Sequence, residues 1–145
     1  MSLRPALSAL HIELIVVAEL LGSGVNQTYS TSHAGQFDAI VVGEGAEHLF
    51  SMTSSFPKFN SSSGNSISHL STLYPPGRPL QILQDGYRWG KPVVAERSGN
   101  AALVVAGIEP GNPGVYTSAG GGALVDYLRE GLTQFKFFDR YPLDQ

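Results

Sequence analysis

Apolar and polar positions along the 145-residue chain alternate between two rhythms. After Pro79, Leu80, Leu83 and Tyr87, with Ile82 one step off, recur at the spacing of a helix face, and Pro79 suits a first helical turn, where its missing N–H has no partner to lose. Gly90 can take the left-handed conformation that ends such a helix, and Pro92 forbids its resumption. The run Val93-Val94-Ala95 that follows is short and wholly apolar, as a strand buried on both faces would be. It breaks at Arg97-Ser98-Gly99 into a helix of small residues, Asn100 to Ala106, closed by Gly107. A helix, a buried strand, a sharp turn and a second helix form half of a doubly wound parallel sheet, in which ligands and nucleophiles gather at the turn after the strand.

The remaining segments fit the same plan. Residues 4–10 read as the end of a helix, Ile12–Val17 as a strand, Gly22-Ser23-Gly24 as a turn and Val25–Tyr29 as a short strand. Ser30-Thr31-Ser32 is a candidate cap for one helical turn before Phe37. Asp38–Val42 is an uninterrupted buried strand running into Gly43-Glu44-Gly45, where the glycines suggest a tight turn made for close packing. Gly114–Thr117 is a further strand. A last helix opens at Gly120–Gly122, with Leu124, Leu128 and Leu132 on one face, Val125 and Phe135 beside them, and Phe137, Phe138 and Tyr141 closing the core. Between these elements, Ser51–Ser71 holds nine serines and little periodicity, which predicts a surface excursion tacked down by Phe50, Phe56 and Phe59. Residues 1–145 are thus expected to form one domain.

Composition narrows the function. A net charge of −3 with scattered Lys and Arg leaves no basic face for nucleic acid. The absence of cysteine removes disulfides, thiolate catalysis and thiolate-bound metal together. Charged residues make up 14%, against a usual ~25%, which fits a domain covered over part of its surface. Leu10–Leu21 is interrupted by His11, Glu13 and Glu19, lacks a cleavage-site pattern and falls short of the ~18 apolar residues of a membrane span. A cytoplasmic protein without membrane contact is the expectation, and the sequons at Asn26 and Asn60 then carry no meaning.

Candidate chemistry is sparse. Glu96-Arg97-Ser98-Gly99-Asn100 lacks the glycine two places before the serine that a nucleophile elbow requires, and Arg97, which keeps its proton, is expected at the apex. Ser98 with one of His11, His33, His48 or His69 is an alternative, set against the commonness of unassociated Ser and His. The four histidines form no i, i+4 pair with an acidic ligand, so no metal site is expected. Glu44 and Glu47 are candidates for acid–base work, although carboxylates three apart at a helix start are ordinarily solvated. The third glycine of a dinucleotide fingerprint is replaced by His48. Trp89 is a candidate interface residue and Tyr87 a core one.

The segments Phe37–Val42, Leu73–Leu83, Tyr87–Val93, Glu130–Leu132 and Phe135–Arg140 resemble the C-terminal domain of large-subunit catalases, over most of residues 6–143. That domain is similar to the class I glutamine-amidotransferase and PfpI-type superfamily. The resemblance implies a flavodoxin-like doubly wound parallel sheet with helices on both faces. It also implies a non-catalytic role, associated with subunit stability and chaperone-like behaviour, beside a haem domain that dismutates hydrogen peroxide in a tetramer. No catalytic, cofactor-binding or metal-binding residue is carried over: the haem belongs to the parent enzyme, and the superfamily's nucleophilic cysteine aligns with Arg97. Implied partners are a catalase haem domain, sister subunits or unfolded clients. The alternatives are a stand-alone chaperone-like or interaction module and a serine hydrolase using Ser98. The superfamily's first, central strand would precede Met1, so Ile12–Val17 and Asp38–Val42 are expected to pair directly as adjacent parallel strands.

Overall fold

The computed structural model describes residues 3–51, 77–120, 122–137 and 139. Helix α1 (Leu3–Ser8) is followed by two very short strands, β1 (Val17–Ala18) and β2 (Gln27–Thr28), which pair in parallel as a separate two-stranded sheet. Then come β3 (Ile40–Val42), α2 (Glu47–Ser51), α3 (Arg78–Arg88), β4 (Val93–Glu96), α4 (Asn100–Ala106), β5 (Val115–Ser118) and α5 (Gly122–Gln134). Strands β3, β4 and β5 lie in that order in one parallel sheet, with Ile40 opposite Val93 and Val93 opposite Val115. The chain is an α/β protein with helices on both faces of its parallel sheet, consistent with a flavodoxin-like fold.

The pleat distributes the core. Ile40, Val42, Val93, Ala95 and Val115 join Leu80, Leu83 and Tyr87 of α3 and Leu103 of α4 on one face. Val94 and, at the margin, Val41 and Tyr116 meet Leu7, Leu124 and Leu128 on the other. Val93, Val94 and Ala95 of the middle strand are fully shielded, each valine contributing roughly 1.5–3 kcal/mol through burial. Helix α3 begins at Arg78 with Pro79 in its first turn, and α4 ends at Gly107 in the left-handed region (φ 76°), as the sequence predicts. Buried Tyr87 adds a polar tie, its hydroxyl accepting from Asn112 Nδ2 at 2.8 Å.

The expected pairing of Ile12–Val17 with Asp38–Val42 is not formed. Only Val17–Ala18 is laddered, and its partner is Gln27–Thr28. Side chains have taken the backbone groups a longer strand would need: Arg4 Nη1 donates to the Leu14 carbonyl at 3.1 Å, and the Val16 N–H donates to Asn26 Oδ1 at 2.9 Å. Among the described residues, β3 therefore pairs on its β4 side only.

Three smaller expectations change. The turns before β3 are two 3-10 turns, Tyr29–Thr31 and Ala34–Gln36, and the second is capped by His33 with Gln36 reciprocating. Phe135 leaves the core, 52% exposed and with φ 74° just past the end of α5. Gly43 and Gly45 have open space around them, so Gly45 serves its left-handed φ of 86° and not a close approach. Phe50 and Phe137 are buried as expected; the serine-rich excursion, with Phe56, Phe59 and His69, and the C-terminal Phe138 and Tyr141 lie outside the described residues.

Burial, and secondarily the Glu19 carboxylate, pushes the Tyr29 hydroxyl up to about 12. The unfolded tyrosine ionises at its ordinary 10.0, so the folded state keeps its proton longer and stability falls as pH rises from 10 to 12. Tyr29→Phe is expected to flatten that decline in denaturant melts taken across the interval.

Candidate functional site

The carboxyl ends of parallel strands are where α/β folds place their chemistry, and here β4 runs into the turn Arg97–Gly99. The backbone at Arg97 is left-handed (φ 49°), a conformation costing a non-glycine residue of order 1 kcal/mol. Arg97 occupies the apex, as the sequence predicts. Its Nη1 donates to Glu44 Oε2 at 2.9 Å, and its Nε donates to the Ala119 carbonyl at 2.8 Å. One side chain thus ties the loop after β3 and the loop after β5 to the loop after β4.

Ser98 lies beside the apex. Its hydroxyl donates to Glu47 Oε2 at 3.0 Å and accepts from the Gly45 N–H at 3.1 Å. Gly99 is buried because it must be: a Cβ there would lie 2.6 Å from the Val42 carbonyl oxygen and 2.9 Å from that of Gly43. The elbow is pressed directly onto the end of β3. Gly120, at φ 104°, leaves room for Arg97 Nε and Glu96 Oε1, each 2.9 Å from where its Cβ would be.

The sequence candidates are partly brought together. Glu44, Glu47, Arg97 and Ser98 share this corner, where Glu44 pairs with Arg97 and Glu47 accepts from Ser98, within reach of solvent. His33 lies elsewhere, its Nδ1 accepting from the Gly35 N–H next to Trp89, at the amino end of the sheet. His11 is exposed after α1, with φ 59°. The side chain of His48 lies outside what is described, as does His69. Among the described residues, no three of His, Cys, Asp and Glu converge to hold a metal ion, and no helix is long and apolar enough to cross a membrane.

Sequence reasoning missed Lys91. It is buried between Trp89 and β4, with Nζ donating to the Ala34 and Phe37 carbonyls, each at 2.5 Å. Burial, then the Lys136 charge, lowers its pKa, with Asp38 acting weakly the other way. The available signal was a lysine wedged between Gly90 and Pro92 at the mouth of a buried strand.

The Arg97–Glu44 pair is half exposed, at 54% for each side chain, so screening leaves it at most ~1 kcal/mol. Glu44→Gln should shift stability by less than that. Ser98→Ala removes two exposed hydrogen bonds and should cost about 1 kcal/mol. Fluorophosphonate labelling is expected to be absent from both the native chain and this variant, and labelling of native Ser98 alone would show an activated hydroxyl.

Fold and site together define a parallel α/β domain of the doubly wound class whose elbow is a tie between loops. Residues 1–142 match the model of the C-terminal domain found in long catalases, and this chain belongs to that family. It is 51% identical to Catalase B of Aspergillus fumigatus over 144 residues, which is 99% of this chain and 19% of that protein. Catalase-3 of Neurospora crassa is 44% identical over 133 residues, 92% of this chain and 16% of that protein. Catalase of Blumeria hordei is 39% identical over 142 residues, 98% of this chain and 18% of that protein. The chain therefore spans under a fifth of the length of these relatives.

Proposed function

We propose that this chain is the non-catalytic C-terminal α/β domain of a long catalase. The haem-dependent dismutation of hydrogen peroxide would then take place in another part of the polypeptide, with this domain packing against the haem domain or sister subunits. The observation that carries the reading is the apex of the elbow. A permanently protonated guanidinium, committed to Glu44 and to the Ala119 carbonyl, stands where a nucleophile would be needed.

Among the described residues, the histidines and the buried Tyr87 are not placed to hold a haem. His33 spends its Nδ1 on the Gly35 N–H, and His11 is exposed, with neither facing the apolar clusters. Tyr87, a further potential axial donor, is sealed in the core with its hydroxyl bonded to Asn112. No step of peroxide chemistry is assigned to this chain. With haem supplied, its peroxide turnover is expected to equal the buffer background, and turnover above that level would end the reading.

The exposure of Val104 (77%), Leu20 (73%) and Leu21 (69%) favours a second reading, a chaperone-like module that offers apolar surface to unfolded clients. Suppression of aggregation of a heated client at equimolar ratio is the result that reading requires.

A further inference from the structure

At the amino end of the sheet, opposite the elbow, two aromatic rings are left in solvent. Trp89, the only tryptophan of the chain, caps α3 and is 46% exposed, and Phe135 follows α5 and is 52% exposed. They belong to one surface. The Phe137 N–H donates to the Gly90 carbonyl at 2.7 Å, which holds 135–137 beside 89–91. Lys91 Nζ lies 5.6 Å from the centre of the Trp89 ring, Lys136 Nζ lies 5.0 Å from that of Phe135, and the Lys136 charge is felt at Lys91.

Phe135 carries two costs at once. Its φ of 74° is one that a bulky side chain avoids and a glycine would adopt freely. The ring gained by that choice is exposed. Within the chain the left-handed turn returns one helix-capping bond, from the Phe135 N–H to the Gly131 carbonyl at 2.9 Å, and the ring meets the Lys136 ammonium; among the described residues nothing covers the rest of the ring, as a partner would. By contrast Val104, though more exposed, sits in unstrained helix. The occupant follows from length: the chain spans 19% of Catalase B of Aspergillus fumigatus, so most of such a protein lies outside it.

We propose that the Trp89–Phe135 face is the surface by which this domain packs against the remainder of the long catalase, on an apolar patch with acceptor oxygens that meet Lys136. The proposal rests on the reading that the chain is such a domain. It is tested in the full-length setting, by exchanging the matched region of Catalase B for this chain and footprinting the chimera with hydroxyl radicals.

Trp89 and Phe135 are expected to oxidise about tenfold more slowly than free rings, as buried interface anchors do, while Val104 reacts at its free rate. Phe135→p-benzoylphenylalanine should photocross-link to the catalase part, and Phe135→Gly should speed proteolytic release of the domain. Rings oxidised at the free rate with Val104 or Leu20 protected would mean docking through another face, overturning this proposal and keeping the functional reading. Free rates at all of these positions would likewise overturn this proposal, while peroxide turnover by this chain alone would overturn the functional reading. Cross-links joining this face to its own copy would make it a self-association surface and overturn the assignment of the partner.

Discussion

Gly99→Ala is expected to cost about 3 kcal/mol, at the upper end of what overpacking does. The backbone at Gly99 (φ −58°) is open to any residue, so conformational strain contributes nothing. The cost comes entirely from the new methyl, placed 2.6 Å from the Val42 carbonyl oxygen and 2.9 Å from that of Gly43. Both obstacles are backbone, and Val42 is fixed by its register opposite Ala95, so the elbow and β3 must separate. Two controls isolate this contact. Gly43→Ala meets nothing within 4 Å and should be close to neutral. Gly107→Ala also has free space but a φ of 76°, and should lose only the ~1 kcal/mol of left-handed strain. Urea midpoints for the three variants would test the order, and a Gly99→Ala midpoint equal to that of Gly43→Ala would refute it.

Lys91→Met is expected to destabilise the fold by about 2–3 kcal/mol. Methionine replaces the packed stem but leaves two carbonyls, those of Ala34 and Phe37, without their charged donor. The turn capped by His33 loses its anchor to β4 in the same step. These bonds offset only part of the ammonium's desolvation, which is why its pKa is lowered. Its pH dependence has a defined sign. Folding lowers the Lys91 pKa below its ordinary 10.5, so between the folded value and 10.5 the unfolded chain binds more proton, and native stability rises with pH there. The penalty of Lys91→Met should therefore grow as pH rises through that interval towards 10.5, a trend chemical denaturation at a series of pH values would read directly.

These two residues also mark what a sequence can and cannot disclose. The helix from Arg78, the strand from Val93, the elbow and the helix to Ala106 were legible because each is announced locally, by proline, by periodicity or by a closing glycine. Arg97 at the apex was legible for the same reason, since its neighbours fix where the strand must turn. The pairing of Ile12–Val17 was not, because a strand's partner is chosen by contacts far along the chain. Here Arg4 and Asn26 claimed the backbone groups first. Lys91 was missed because burial of a charge depends on distant carbonyls that composition does not reveal. Phe135 was placed in the core by helical spacing, and it left the core because the helix ends at Gln134 and the next residue turns left-handed.

The left-handed apex at Arg97 has a consequence for how such a domain can change over generations. A strained turn would ordinarily drift towards glycine, which adopts that backbone freely. At this position glycine relieves φ but severs the ties to Glu44 and Ala119 in the same substitution. The two effects are of similar size and opposite sign, so neither direction offers a clear gain. The turn is thereby entrenched: its shape is inherited through the connections that have come to depend on it.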